Sequence, residues 1–248
     1  MTVQGLYALQ NGFMGAQRSL LFYGDYSEAR TQIPITCYLV RTSDAVILFD
    51  TGVAPRAVPG LLRNDPFARF TDADLLVHRL DTLDLQPANV DLVVISHLHY
   101  DHAGGAALFA ESELVVQKDE YAYAQYPAQF FAPFYYRKNF DLPGYRWRLL
   151  DGDTELVPGV TVLRSDGHTP GHQSLLVELP ESGPVVLAGD SCYWQEHSRR
   201  PTRIARSACA GRRGGRAAGP SRPSCAPRSA RWRPPVFGSS RACRCVRS

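Results

Sequence analysis

The segment SHLHYDHAGG (residues 96–105) concentrates four side chains that can bind metal ions: His97, His99, Asp101 and His102. Two histidines one residue apart on an extended segment point to the same side, so His97 and His99 can chelate one ion. Asp101 and His102 lie at the turn that follows and can face a second ion. These ligands suit zinc best, with iron, cobalt or manganese as alternatives. A merely polar turn is disfavoured, because clustered imidazoles are costly to bury without a shared ligand.

The secondary-structure elements around this segment must hold it in a fixed position. The apolar run DLVVIS (91–96) predicts a buried strand before the histidines, and AGGAALFA (103–110) predicts a helix after them. TDADLLVHRLDTL (71–83) also predicts a helix, with Thr71 as its N-cap. The other candidates are a helix in KDEYAYAQY and strands in TCYLVRT, AVILFDTG, ELVVQ, WRLL, VTVLRS, SLLVEL and PVVLAGD. Strands dominate and helices are interspersed, which favours a layered α/β or α+β sandwich.

Length and composition indicate a soluble protein. The chain has 248 residues, of which 44% are hydrophobic, enough for one large core or two small ones. No segment approaches the roughly 20 apolar residues that span a bilayer, and the N-terminal residues show no secretory signal. We therefore expect a cytoplasmic protein that does not need a membrane, in which the six cysteines are free rather than disulfide-bonded.

The net charge of +3 conceals two parts of opposite sign. Residues 1–197 carry 13 Lys and Arg against all 24 Asp and Glu, a net of −11, whereas residues 198–248 carry 14 arginines and no acidic residue. In the second part, Arg, Ala, Ser, Pro, Gly and Cys make up 45 of 51 residues. Such a composition cannot bury enough apolar area to offset the chain entropy. We expect a patterned domain over 1–197 and a disordered tail over 198–248.

The motif HLHYDHAGG resembles the signature of the metallo-β-lactamase superfamily of metal-dependent hydrolases. The resemblance continues in order along the chain, with FDTG (49–52), GHTPGHQSL (167–175) and AGDS (188–191). Within the superfamily, the segments MTVQGLY, VVQKDEYAYA, ELVPGV, TPGHQSL and GDSCY resemble the N-acyl-homoserine lactonases, which inactivate quorum-sensing signals. The likeness covers about residues 1–197 and implies an α+β fold, the metallo-β-lactamase αββα sandwich.

Carried over residue by residue, the resemblance implies two zinc ions as cofactors and a set of six ligands. His97, His99 and His168 would hold the first zinc, Asp101 and His102 the second, and Asp190 would bridge the two. The imidazole and carboxylate groups of the cluster also suit zinc by their chemistry alone.

The implied reaction is hydrolysis of a lactone ring to give an N-acyl-homoserine. Two metal ions about 3.5–4 Å apart bind water as a bridging hydroxide near neutral pH and polarise the lactone carbonyl. Tyr193, which matches the active-site tyrosine of the lactonases, would donate to the developing oxyanion. Asp101 would pass a proton to the leaving ring oxygen. The implied partner is thus a small-molecule lactone, and another lactone, an ester or a thioester is the alternative substrate.

Other residues have roles that the sequence leaves open. Asp50 either orients a ligand histidine or caps its own turn. His172 is expected to support the site rather than to bind metal, and His78 is expected at the surface. Candidates for an acyl-chain pocket, each of which ordinary core packing would also explain, are Met14, Phe67, Phe70 and Tyr100.

One ligand that the resemblance implies is missing. Members of the family carry a further histidine near the C-terminus, in a short GH followed by an acidic residue, which completes the second metal's ligands. No histidine follows His197 in this sequence, and His197 itself is a disfavoured substitute because it follows Tyr193 closely. The resemblance therefore implies a weakened second zinc site, an incomplete C-terminal part of the fold, and an activity that is reduced or absent.

The composition of the tail indicates an out-of-frame translation of GC-rich DNA, which yields arginine, alanine, glycine and proline in a wrong frame. A basic arm that binds nucleic acid is the rival explanation, because 14 arginines attract phosphate groups. Nucleic acid is disfavoured as a partner, since arginine without lysine and with few aromatic residues matches known arms poorly. Outside the enzymes, the alternative is an inactive truncated remnant with a basic tail.

Overall fold

Two β-sheets with short helices between their strands make up the part of the chain that the computed structural model describes, residues 2–22 and 25–193. The strands are β1 Val3–Gln17, β2 Arg30–Thr42, β3 Val46–Phe49, β4 Leu92–Val94, β5 Glu113–Gln117, β6 Arg146–Leu150, β7 Thr154–Val157, β8 Val160–Arg164, β9 Gln173–Leu179 and β10 Gly183–Leu187. The α-helices are α1 Arg18–Leu21, α2 Val58–Asn64, α3 Leu76–Asp81, α4 Lys118–Gln125 and α5 Arg137–Phe140. The expectations about His197 and residues 198–248 concern positions outside the described ranges.

The larger sheet has six strands in the order β1-β2-β3-β4-β5-β6. β1, β2 and β3 pair antiparallel, whereas β3, β4, β5 and β6 run parallel. Parallel strands are buried on both faces, which explains why these segments read as nearly continuous apolar runs. Phe49 of β3 lies opposite Val94 of β4. The loops that follow these two strands therefore leave the same edge of the sheet side by side.

Two apolar cores cover the two faces of the larger sheet. Alternation along β3 sends Leu48 to one face and Ile47 and Phe49 to the other. Leu48 belongs to the core that includes residues of α3, α4 and α5. Ile47 and Phe49 belong to the core shared with the smaller, antiparallel sheet, whose order is β10-β9-β8-β7. A helical layer, a sheet and a second sheet thus stack in that order, and the predicted α+β sandwich is confirmed.

The helices among the described residues are short, and none is long and apolar enough to cross a bilayer. The helix predicted over 71–83 is divided into a 3-10 turn, Asp72–Asp74, and α3. Thr71 caps the first of these pieces through a reciprocal pair of hydrogen bonds with Asp74. The predicted N-cap is therefore confirmed, although the predicted single helix is wrong.

The helix predicted over 103–110 is one 3-10 turn, Ala106–Phe109. A Cβ atom at Gly105, the residue before this turn, would lie 2.4 Å from the carbonyl oxygen of Thr51, so the position requires glycine. Strand β1 was not predicted at all. Its sequence VQGLYALQNGFMGAQ has no regular alternation, and the strand forms by pairing with β2 across two irregularities in register.

Two buried glutamines join the two sheets at the edge where the histidine loops emerge. Gln173, the first residue of β9, donates from Nε2 to the carbonyl oxygens of Ile95 at 2.8 Å and Val115 at 3.1 Å. Its Oε1 accepts a hydrogen bond from Gln117 Nε2 at 3.0 Å. Both side chains are fully buried, and buried amides are tolerated when they are hydrogen-bonded in this way. The pair fixes the start of β9 relative to the ends of β4 and β5.

We expect Gln173→Leu to lower the free energy of unfolding by about 1–3 kcal/mol, because it removes the partner of Gln117 and of two buried carbonyl groups. Urea unfolding followed by circular dichroism measures this change. Gln129→Leu is the matched control, since Gln129 is exposed and surface substitutions usually change stability by no more than about 0.5 kcal/mol. Equal stabilities of the two variants would contradict the prediction.

Candidate metal centre

Backbone contacts hold two loops together at the carboxyl ends of β3 and β4. Asp50 has a left-handed backbone conformation, with φ of 64°, which aspartate adopts more readily than most residues. The turn lets the Thr51 N–H donate to the carbonyl oxygen of His102 at 2.7 Å. A Cβ atom at Gly104 would lie 2.6 Å from the carbonyl oxygen of Gly52. The FDTG and AGG segments therefore pack tightly against each other.

Three imidazole nitrogens converge on one point. His97 Nε2 lies 2.9 Å from His99 Nδ1, and His168 Nε2 lies 3.1 Å from each of them. The first two histidines follow β4, whereas His168 comes from the loop between β8 and β9. A tetrahedral zinc ion with the usual Zn–N distances holds its nitrogen ligands about 3.3 Å apart. These three side chains therefore fit one metal ion.

A second group of donors adjoins this triad. His102 Nε2 lies 3.3 Å from Asp190 Oδ1 and 3.5 Å from Asp101 Oδ2. The other oxygen of Asp190 lies 3.3 Å from His168 Nε2 and 3.9 Å from His97 Nε2. Asp190 thus reaches both groups, and the six residues predicted as ligands lie together. The arrangement can hold two ions that share the Asp190 carboxylate.

The electrostatics of the two groups differ. Burial opposes a charge on His102, but Asp190, Asp101 and Asp50 outweigh it and raise its pKa well above the usual value. Burial raises the pKa of Asp101 to about 6, against the attraction of His102. In the triad, burial and the neighbouring imidazoles hold the pKa of His97 well below its usual value. Neutral imidazoles beside a group of carboxylates that favour a positive charge suit a divalent cation.

Asp50 and His172 support these donors without joining them. Asp50 Oδ2 lies 2.8 Å from His102 Nδ1. Of the two roles left open for Asp50, this contact supports the orientation of a histidine. His172 Nε2 accepts a hydrogen bond from the Asp190 N–H at 3.1 Å, and its Nδ1 lies 2.8 Å from Ser165 Oγ. This pattern places the proton of the neutral ring on Nδ1. Asp50 thus holds the ring of His102 from the side away from Asp190 and Asp101, and His172 holds the backbone of Asp190.

A cavity of about 550 Å³ opens beside the second group. Tyr193 lines it, and its hydroxyl donates to Asp190 Oδ2 at 2.7 Å. Asp101, His102 and Asp190 line the cavity as well. The remaining lining comes from the β1–β2 hairpin: Ala8, Gln10, Phe13, Gln32, Ile33, Pro34, Ile35 and Thr36.

The residues that the sequence suggested for an acyl-chain pocket are not among the described residues that line this cavity. Tyr100 stacks on Tyr136 with ring centroids 5.3 Å apart, and the Phe67 ring lies 5.3 Å from the Arg30 guanidinium. The described residues around the cavity do not include Met14, Phe67, Phe70 or Tyr100. The hairpin lining was missed because β1 was not predicted, and no pattern within β1 alone marks which of its side chains meet the cavity.

Residues 30–208 match the sequence model of the metallo-beta-lactamase superfamily. The match spans most of the chain, and the fold and the order of its histidine motifs agree with it. The chain belongs to the metallo-beta-lactamase superfamily, as the resemblance of its motifs predicted. Its two-sheet sandwich with helices is the fold of that superfamily.

Several proteins similar to this chain are N-acyl homoserine lactonases. An N-acyl homoserine lactonase of Bacillus sp is 36% identical over 209 residues, which are 79% of each chain. The N-acyl homoserine lactonase AttM of Rhizobium radiobacter is 35% identical over 210 residues, 79% of this chain and 80% of that one. A solved N-acyl homoserine lactone hydrolase, with the product N-hexanoyl-L-homoserine bound at its catalytic metal center, superposes with a TM-score of 0.74 and 32% identity over 84% of this chain and 83% of that one.

The burial of His172 predicts a pH-dependent stability of the metal-free protein. Burial lowers the pKa of this ring to about 3, whereas an unfolded histidine titrates near pH 6.5. Above about pH 6.5 the ring is neutral in both states, and below it only the unfolded chain takes up the proton. Acidification in the presence of a chelator should therefore lower the free energy of unfolding, by up to about 1.4 kcal/mol per pH unit for this ring.

Urea unfolding at a series of pH values measures that slope. His172→Gln should reduce the slope, although the other buried histidines keep it above zero. His78→Gln is the control, because His78 is exposed, and it should retain the slope of the unmodified protein. Identical slopes in the unmodified protein and in His172→Gln would rule out the proposed cause.

Proposed function

We propose that this protein is a metal-dependent hydrolase that opens the lactone ring of N-acyl homoserine lactones. The observation that carries the proposal is the position of Asp190, whose two oxygens lie 3.3 Å from His102 Nε2 and 3.3 Å from His168 Nε2. One carboxylate thereby joins two donor groups at the edge of a cavity. The lactonase activity of its relatives in the superfamily supports the same reaction.

The donor set fits two ions, and we propose that both are zinc. Neutral imidazoles at tetrahedral spacing favour zinc over ions that prefer only oxygen ligands. When bound, the two ions would supply a water-derived nucleophile near neutral pH and polarise the substrate carbonyl. One ion would be held by His97, His99 and His168, the other by Asp101 and His102, and both by Asp190.

Two further side chains act directly on the substrate in this proposal. The Tyr193 hydroxyl donates its one hydrogen to Asp190 in the structure and would turn it to the oxyanion that develops on the carbonyl oxygen. Asp101 lines the same cavity and gives a proton to the ring oxygen as the carbon–oxygen bond breaks. As a carboxylate, Asp101 would first take that proton from the attacking water.

The lining of the cavity suits an amphiphilic substrate. Phe13, Ile33 and Ile35 offer apolar contacts for an acyl chain, and Gln10 and Thr36, which face each other across β1 and β2, offer polar groups. Small-molecule sites typically combine an apolar lining with a few polar groups that fix orientation. We also propose that the protein acts in the cytoplasm, where free thiols such as Cys37 stay reduced.

The first test is hydrolysis of N-hexanoyl-homoserine lactone by the purified full chain, followed by the proton released on ring opening. We expect a reduced activity, as the missing histidine of the second group implies, which a chelator abolishes and added zinc restores. Metal content per chain, measured by elemental analysis on the same samples, should fall and recover in parallel. Activity that survives complete removal of metal, or cleavage of thioesters without cleavage of the lactone, would contradict the proposed function.

We expect Tyr193→Phe to lower kcat about 100-fold, as the loss of one oxyanion donor does in other enzymes. KM and metal content should change little, because the hydroxyl acts mainly in the transition state. Steady-state kinetics on the lactone give both constants. The control is Tyr126→Phe, since Tyr126 is 87% exposed and should leave kcat unchanged. A rise in KM with an unchanged kcat would assign Tyr193 to binding alone.

A further inference from the structure

Glu120 is a fully buried carboxylate on α4 that does not belong to the donor groups of the metal centre. Glutamate is almost never fully buried unless its charge is paired. Here all four partners are neutral hydrogen-bond donors, so the carboxylate is stabilised by hydrogen bonds.

The four donors saturate the carboxylate. Oε1 accepts from the Leu98 N–H at 2.9 Å and from the Tyr135 hydroxyl at 3.2 Å. Oε2 accepts from the Thr169 hydroxyl and from the Gly171 N–H at 3.3 Å. An ionised carboxylate offers about four acceptor positions, so each of them has a partner.

Three of the four donors belong to the two loops that carry the histidine triad, and the fourth, the Tyr135 hydroxyl, lies just before α5. Leu98 lies between His97 and His99, and Thr169 follows His168 directly. His97 and His168 are 71 residues apart in the sequence, so the chain itself does not hold them together. Glu120 connects both loops through their backbone and hydroxyl groups.

The contact between Glu120 and the second loop is unusually close. A Cβ atom at Gly171 would lie 2.2 Å from the backbone nitrogen of Glu120. Only glycine permits such an approach, so the HTPGH segment packs directly against the first turn of α4. The close packing and the hydrogen bonds thus connect α4 to the His168 loop in two independent ways.

We propose that Glu120 is a positioning residue for the metal centre, which holds the His97–His99 loop and the His168 loop at the spacing that one metal ion requires. The inference rests on the proposed function, because it assumes that the triad binds a metal. It adds a residue that touches neither metal nor substrate. Glu120 acts through the backbone of Leu98 and through Thr169 and Gly171.

The alternative is a purely structural role, in which Glu120 only satisfies buried N–H groups. The two roles differ in what a substitution changes. A structural residue affects the free energy of unfolding, whereas a positioning residue also affects the affinity of the folded protein for metal. Hydrogen-bonded partners of this kind typically change metal affinity by about 10- to 100-fold.

The decisive variant is Glu120→Gln, which preserves size. Its amide NH₂ group must face either the Leu98 N–H or the Gly171 N–H, and neither backbone donor can become an acceptor. The matched control is Ser112→Ala, since Ser112 is buried and its hydroxyl donates to the carbonyl oxygen of Val90 at 2.6 Å. That control also loses a buried hydrogen bond, but it lies outside both loops.

Zinc affinity of the full chain is measured by competition with a chromophoric chelator, and thermal unfolding is measured on the metal-free form. We expect Glu120→Gln to weaken the tighter zinc site about 10-fold or more, with Ser112→Ala retaining the original affinity at a comparable loss of stability. Thr169→Val, which removes one donor and leaves the carboxylate, should give a smaller loss of the same affinity. It serves as the test if Glu120→Gln does not fold.

Unchanged zinc affinity in Glu120→Gln, or in Thr169→Val where the first variant does not fold, would overturn the inference and leave the proposed function intact. Equal losses of affinity in Ser112→Ala and Glu120→Gln would also overturn it, because loss of stability would then explain both. Failure of the unmodified chain to bind zinc would instead overturn the proposed function, and this inference with it.

Discussion

The fold must hold three neutral imidazoles with their ring nitrogens 2.9–3.1 Å apart. A neutral imidazole has one donor and one acceptor nitrogen, so three of them cannot satisfy one another at a single point without a cation or extra protons. Burial adds to the constraint, because it lowers the pKa of His97 and His99 well below the usual value and so opposes those protons. Convergence is therefore unfavourable until a metal binds, and packing elsewhere must maintain it.

That packing takes the form of buried polar side chains that each connect two distant segments. Asp50 links the end of β3 to Ser96 and His102, and Gln173 links β9 to the ends of β4 and β5. In a low-dielectric interior such bonds are strong when every partner is present and costly when one is missing. The site is thus rigid for the same reason that it is sensitive to single substitutions at positions that bind neither metal nor substrate.

The sequence predicted what depends on short-range pattern. The histidine cluster, the buried strand before it and the cap at Thr71 are all local, and the structure contains each of them. The sequence did not reveal the features that depend on pairing between distant segments. β1 has little strand character of its own and forms against β2, so the cavity that this hairpin lines was not foreseen. The partners of Gln173 are 56 to 78 residues away, beyond any local signal.

In the proposed function, metal binding and substrate selection fall to different parts of the chain. The donors lie on loops at strand ends, fixed by the parallel strands and the buried polar bonds, whereas much of the cavity lining comes from the β1–β2 hairpin at the edge of the larger sheet. A change at Phe13 or Thr36 alters the shape and polarity of the cavity without touching a ligand histidine. The metal centre is therefore constrained by its own geometry, while the hairpin can vary with the acyl group that the cavity must accept.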